Sequence, residues 1–76
     1  MQNKYEVTFT WDDEAGVWIA TSKDVRGFVL EHDSFDVLCE RVRVALPDFL
    51  EEIDFGHNHI ALDYNISRTD RLVVHG

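Results

Sequence analysis

The chain has 76 residues and a mass of 8.9 kDa, room for one domain spanning 1–76 and no more. Hydrophobic residues make up 45% of it, a composition that folds. Fifteen Asp and Glu against seven Lys and Arg leave a net charge of −8, which argues against direct binding to nucleic acid or to anionic lipid, since both need a basic footprint.

From Tyr5 to Trp11 apolar residues take every second position, namely Tyr5, Val7, Phe9 and Trp11, with Glu6, Thr8 and Thr10 between them. Period two with aromatic and β-branched residues predicts a half-buried strand. Asp12-Asp13-Glu14-Ala15-Gly16 reads as the turn, with Gly16 free to take positive φ. Val17 to Ser22 forms a second strand that is apolar on both faces, Val17 and Ile19 on one, Trp18 and Ala20 on the other. Lys23 to Gly27 is a second connection, and Phe28 to His32 a third short strand.

Asp33-Ser34 marks a helix start, because either side chain can cap the free amides of the first turn. Phe35, Leu38, Val42, Ala45, Leu46, Phe49, Leu50 and Ile53 then trace one apolar stripe along a helix of roughly five turns. Pro47 interrupts that stripe and predicts a kink or a restart. Asp48, Glu51 and Glu52 fall on its polar side, and Gly56 is the natural stop. Ile60, Leu62, Tyr64 and Ile66 alternate again as a fourth strand. Ser67 to Asp70 reads as a turn or a frayed strand end, with Leu72-Val73-Val74 as a candidate short edge strand. The order βββαβ is an α+β fold, a sheet with one helix on one face.

One helix covers one sheet face and leaves the other to water or to a partner. A simple hairpin register places Trp18 on that bare face, opposite Phe9 and Ile19 and beside Thr8, Thr10 and Ala20. Trp18 is then a candidate interface anchor, with Asp12, Asp13 and Glu14 as an acidic flank. The competing reading packs Trp18 against the chain's own loops or C-terminal tail, and a register shift of one residue exchanges the faces.

Catalytic and metal chemistry find little support. Asp12, Asp13 and Glu14 are adjacent in a turn, and Glu31 and Asp33 lie near a strand end, whereas nuclease metal sites need carboxylates converging from separate strands. An EF-hand loop starting at Asp12 would need glycine where Val17 stands. His57 and His59, completed by Asp54 or Asp63, form a weak zinc or nickel candidate against the plainer reading of exposed loop histidines. His75 lies beside the C-terminus, and Cys39 has no base placed to activate it. No glycine-rich phosphate loop occurs, so no cofactor and no enzyme activity are expected. A single cysteine forms no internal disulfide, no apolar run spans a bilayer, and Met1-Gln2-Asn3-Lys4 opens without a signal peptide. A reduced, cytoplasmic setting is the expectation, and Asn65-Ile66-Ser67 is then no glycosylation site.

The run from Asp12 to Gly27, followed by Glu31-His32-Asp33-Ser34 and the helix from Phe35, resembles the N-terminal half of HicB-type antitoxins. More narrowly, Trp18, Asp24, Gly27, Glu31, Asp33, Ser34 and Pro47-Asp48-Phe49-Leu50-Glu51 resemble small stand-alone domains of unknown function in that superfamily. The likeness covers about residues 5 to 66 and rests on the order and spacing of short motifs. It implies a partial ribonuclease-H-like fold and a partner, a small basic HicA-type toxin that cleaves mRNA and is blocked by the bound antitoxin. An acidic protein suits that task, since it can imitate the phosphates that a basic partner expects. Two departures stand out: Lys23 and Arg26 occupy positions where the family's knuckle usually has prolines, and Gly76 is reached without the family's DNA-binding segment, so promoter autoregulation is not expected. The alternative is an orphan domain that forms a homodimer through the uncovered sheet face, with no toxin.

Overall fold

The computed structural model describes residues 4–50 and 60–75. Strands β1 (Lys4–Asp12), β2 (Val17–Thr21) and β3 (Val29–His32) precede helix α1 (Phe35–Ala45), a 3-10 turn (Leu46–Phe49) and strand β4 (Ala61–Ser67). The four strands form one mixed sheet in the order β3-β2-β1-β4. The hairpin pairs are antiparallel, whereas β4 runs parallel to β1 from Lys4↔Ala61 to Thr10↔Ser67. This is the βββαβ arrangement expected from the sequence.

The β1–β2 turn sets the register. Asp12 belongs to β1 and pairs with Val17. Its carbonyl accepts the Gly16 amide at 2.8 Å, and its Oδ1 accepts the amides of Glu14 and Ala15 at 3.1 and 3.2 Å. Gly16 adopts φ 68°, a conformation that a Cβ would strain. Trp11 therefore pairs with Trp18 and Phe9 with Ala20. The expected placement of Trp18 is overturned: Trp18 and Ala20 share the helix-side face with Phe9, and Ile19 stands with Thr8 and Thr10 on the other. Moving Asp12 from the turn into the strand shifts the register by one residue, which exchanges the faces.

Val7, Phe9, Ala20, Val25, Phe28, Leu38, Val42 and Leu46 form the buried core. Ser34 caps α1, its hydroxyl accepting the Val37 amide at 3.3 Å. The helix ends at Ala45, and Pro47 sits at the start of the 3-10 turn. Pro47 has no N–H to donate to the carbonyl of Arg43, so the chain tightens there instead of continuing as α-helix. The interruption expected at Pro47 is thus present. The stripe's extension through Glu51, Glu52 and Ile53, the stop at Gly56 and the Asp54, His57 and His59 group lie outside the described residues. Leu72-Val73-Val74 form no strand and are exposed.

The Lys23–Gly27 connection is held by specific bonds. The Asp24 carboxylate accepts the Glu6 amide at 2.8 Å, and the Ser22 hydroxyl donates to the Glu6 carbonyl. That clamp takes over where the β1–β2 ladder ends, at Thr8↔Thr21. It also delivers Val25 and Phe28 to the core, with Gly27 at φ 79°. Asp24→Ala orphans a partly buried amide and is expected to cost about 1–3 kcal/mol. Asp24→Asn retains an acceptor and should cost clearly less, as read by urea denaturation; equal losses would rule out the clamp.

Candidate functional site

The helix packs over β2 and β3, and among the described residues no element covers the opposite sheet face. On that face β1 contributes Glu6, Thr8 and Thr10, β2 contributes Val17, Ile19 and Thr21, β3 contributes Val29 and Glu31, and β4 contributes Asp63, Asn65 and Ser67. None of these side chains is buried. Threonine suits such a surface, because its branched Cβ favours the extended backbone while its hydroxyl remains hydrated.

Two ion pairs cross the face, Lys4 Nζ to Asp63 at 2.9 Å and Lys23 Nζ to Glu6 at 2.9 Å. Each carboxylate holds its lysine's pKa above the ordinary value, first through the hydrogen bond and then through its charge. Both pairs are open to water and add little to stability. They neutralise carboxylates at the Lys4 end of the face, and the Asp12–Glu14 turn is an acidic rim at the other end of the sheet.

Within that rim the three carboxylates differ. Asp12 is committed to the turn amides, Asp13 Oδ1 accepts the Trp11 indole N–H at 3.2 Å, and Glu14 is exposed. The residues singled out from sequence therefore separate into two groups. Thr8, Thr10, Asp12, Asp13 and Glu14 form one continuous surface. Ala20 is buried, and Trp18 is half-buried on the far side. There Trp18 packs edge-on against Phe35 at 5.1 Å and Trp11 at 5.4 Å, with the Arg68 guanidinium 5.8 Å from its ring. The reading that packed Trp18 against its own chain, tail included, fits this arrangement. In its place the open face offers Val17, Ile19 and Val29, which sequence reasoning did not single out.

Among the described residues no three His, Cys, Asp or Glu side chains cluster as a metal site. Burial, followed by the nearby Asp36 carboxylate, pushes the Cys39 thiol above its ordinary pKa, which lowers its thiolate fraction and its reactivity. Burial likewise raises the Tyr64 phenol. A shallow apolar groove along the helix flank, lined by Leu30, Val37, Val44 and Ala45, carries only Glu40 and Arg41 as polar groups. Among the described residues no helix is long and apolar enough to cross a membrane.

The chain is similar to the solved structure of hypothetical protein TTHA1013 from the extremely thermophilic bacterium Thermus thermophilus. The two share 32% sequence identity and a TM-score of 0.64, over 93% of this chain and 99% of that one. No curated protein matches the chain. The family profile of DUF1902, a domain of unknown function, matches residues 4–75. With nearly its whole length matched, the chain belongs to the DUF1902 family.

Proposed function

We propose that this chain is a non-catalytic protein-binding module of the HicB-antitoxin type, which neutralises a small basic HicA-type toxin ribonuclease through its acidic surface. The observation that carries the reading is where the charge lies. The chain has a net charge of −8, and no charged side chain among the described residues is buried. Among the described residues the excess negative charge is therefore displayed to solvent, where it attracts a basic partner and speeds encounter. The open face with Thr8 and Thr10, rimmed by Asp13 and Glu14, is the surface best suited to that contact, with Val17, Ile19 and Val29 as its apolar centre. A threonine-rich face also offers hydroxyls to pair with the polar groups of a partner as water leaves.

Co-expression with HicA-type toxins in a bacterial host tests the proposal. Restored growth, together with a complex that weakens as salt rises, is the expected result. The double variant Asp13→Lys/Glu14→Lys should slow association by roughly tenfold or more while leaving the dissociation rate nearly unchanged. Failure to restore growth, combined with no complex at low salt, would overturn the reading.

A further inference from the structure

We propose that two copies of this chain join through β4 and the segment that follows it, as antiparallel strands related by a two-fold axis at Thr69. The inference is independent of the toxin-binding reading, which uses the open face and not this edge.

Among the described residues strand β4 ends the sheet, with β1 on one side and no strand on the other. Such an edge pairs readily with another chain unless lysine, proline or a bulge blocks it. Its sequence from Ala61 to Ser67 contains neither lysine nor proline, and its one charged residue, Asp63, is already paired with Lys4. The other edge strand, β3, has only four residues, including Glu31 and His32. The helix lies chiefly over β2 and β3, with Cys39, Glu40 and Arg43 near Tyr64. Along the helix-side row of β4, Tyr64 is nonetheless 37% exposed and Ile66 is 60% exposed.

In the proposed dimer the chain beyond Ser67 extends β4 and continues its alternation. Arg68 lies on the helix side, its guanidinium 4.6 Å from the Trp11 ring. Arg71 falls on the other side, lining a hollow with Thr10 and Ile19. Continuing that alternation returns Leu72 and Val74 to the helix side. Leu72, Val73 and Val74 are 87%, 74% and 79% exposed. The molecule measures 59 × 20 × 19 Å. Its radius of gyration of 15.2 Å exceeds the value of about 11 Å expected for a rounded domain of this length. Three adjacent apolar residues held out in water are an unfinished contact.

What completes it is legible in the residues themselves. A two-fold interface must be self-complementary, residue i meeting j and j meeting i. Pairing about Thr69 sets Tyr64 against Val74 of the second copy, Ile66 against Leu72 and Arg68 against Asp70, each twice. The helix-side row then reads apolar, apolar, basic, acidic, apolar, apolar, and it matches its own reverse. Every exposed apolar residue of the row gains an apolar partner, and the only two charges in it meet opposite charges. Shifting the pairing so that the axis falls on Arg68 would set two guanidinium groups against each other, so charge fixes the register. The product is one continuous eight-stranded sheet in which neither copy keeps an open β4 edge.

Sedimentation equilibrium on the full chain tests this. A species of twice the 8.9 kDa chain mass is expected at micromolar concentration. Asp70→Arg places like charges opposite each other twice and should weaken the dimer by roughly tenfold or more. Adding Arg68→Asp to that variant should restore it, a rescue that a general loss of folding would not give. Leu72→Glu should weaken it as well, with far-UV circular dichroism unchanged because Leu72 lies outside every element. In a Cys39→Ala background, Thr69→Cys should form an intermolecular disulfide on air oxidation much faster than Asp33→Cys, because facing residues at the axis lie within disulfide reach. A chain that stays monomeric at high concentration, a dimer indifferent to Asp70→Arg and Leu72→Glu, or equal cross-linking at positions 69 and 33 would each overturn the proposal.

Discussion

Phe9→Ala is expected to lower the free energy of unfolding by about 3–5 kcal/mol. Phe9 is fully buried, and its ring is the joint between layers: 4.9 Å from Phe35 on the helix and 4.9 Å from Tyr64 on β4. Truncation removes both contacts and leaves a hollow where the helix meets the parallel pair of strands. A domain of this length has a total stability on the order of 4–11 kcal/mol, so the substitution takes about a quarter of it or more. Urea denaturation followed by circular dichroism should show a midpoint near zero denaturant or a chain already partly unfolded. Phe9→Leu keeps most of the volume and should cost clearly less. A loss below about 1 kcal/mol for Phe9→Ala would mean that this position is not a fully buried core site.

Trp18→Ala should cost about 2–3 kcal/mol, whereas Ile19→Ala should cost about 1 kcal/mol or less. The contrast is a direct reading of the register. Trp18 lies under Phe35, beside Trp11 and within reach of Arg68, so its loss removes aromatic contacts and opens the helix-side layer. Ile19 lies on the open face, only partly shielded by its neighbours. Thermal or urea unfolding of the two variants measures the difference. If the order were reversed, with Ile19 the costlier position, the hairpin would be paired one residue out and the faces exchanged.

That hairpin also shows where sequence reasoning held and where it stopped. The strands, the Ser34 cap and the break at Pro47 were each legible, because alternation, capping oxygens and a missing N–H are local signals. The face of Trp18 was not. Strand β2 is apolar on both sides, so its pattern could not say which side turns inward, and the answer depended on whether Asp12 ended the strand or opened the turn. Its carboxylate caps the amides of Glu14 and Ala15, the role in which aspartate is favoured near turns, and that was the available signal. The bare sheet face was legible from the count of one helix, but its apolar members were misassigned along with Trp18. The parallel direction of β4 had no local signature at all. It follows from the crossover through the helix, which returns the chain to the far side of β1.

That parallel pairing has a consequence for synthesis. The ladder from Lys4↔Ala61 to Thr10↔Ser67 joins the earliest strand to the last, and such distant closures are the slow ones. While a ribosome is still adding the residues in between, the hairpin and helix can assemble, yet β1 waits with its outer backbone groups unsatisfied. For that interval the nascent chain displays the very kind of margin that a neighbouring polysome product could capture, and only the arrival of the final strand withdraws it.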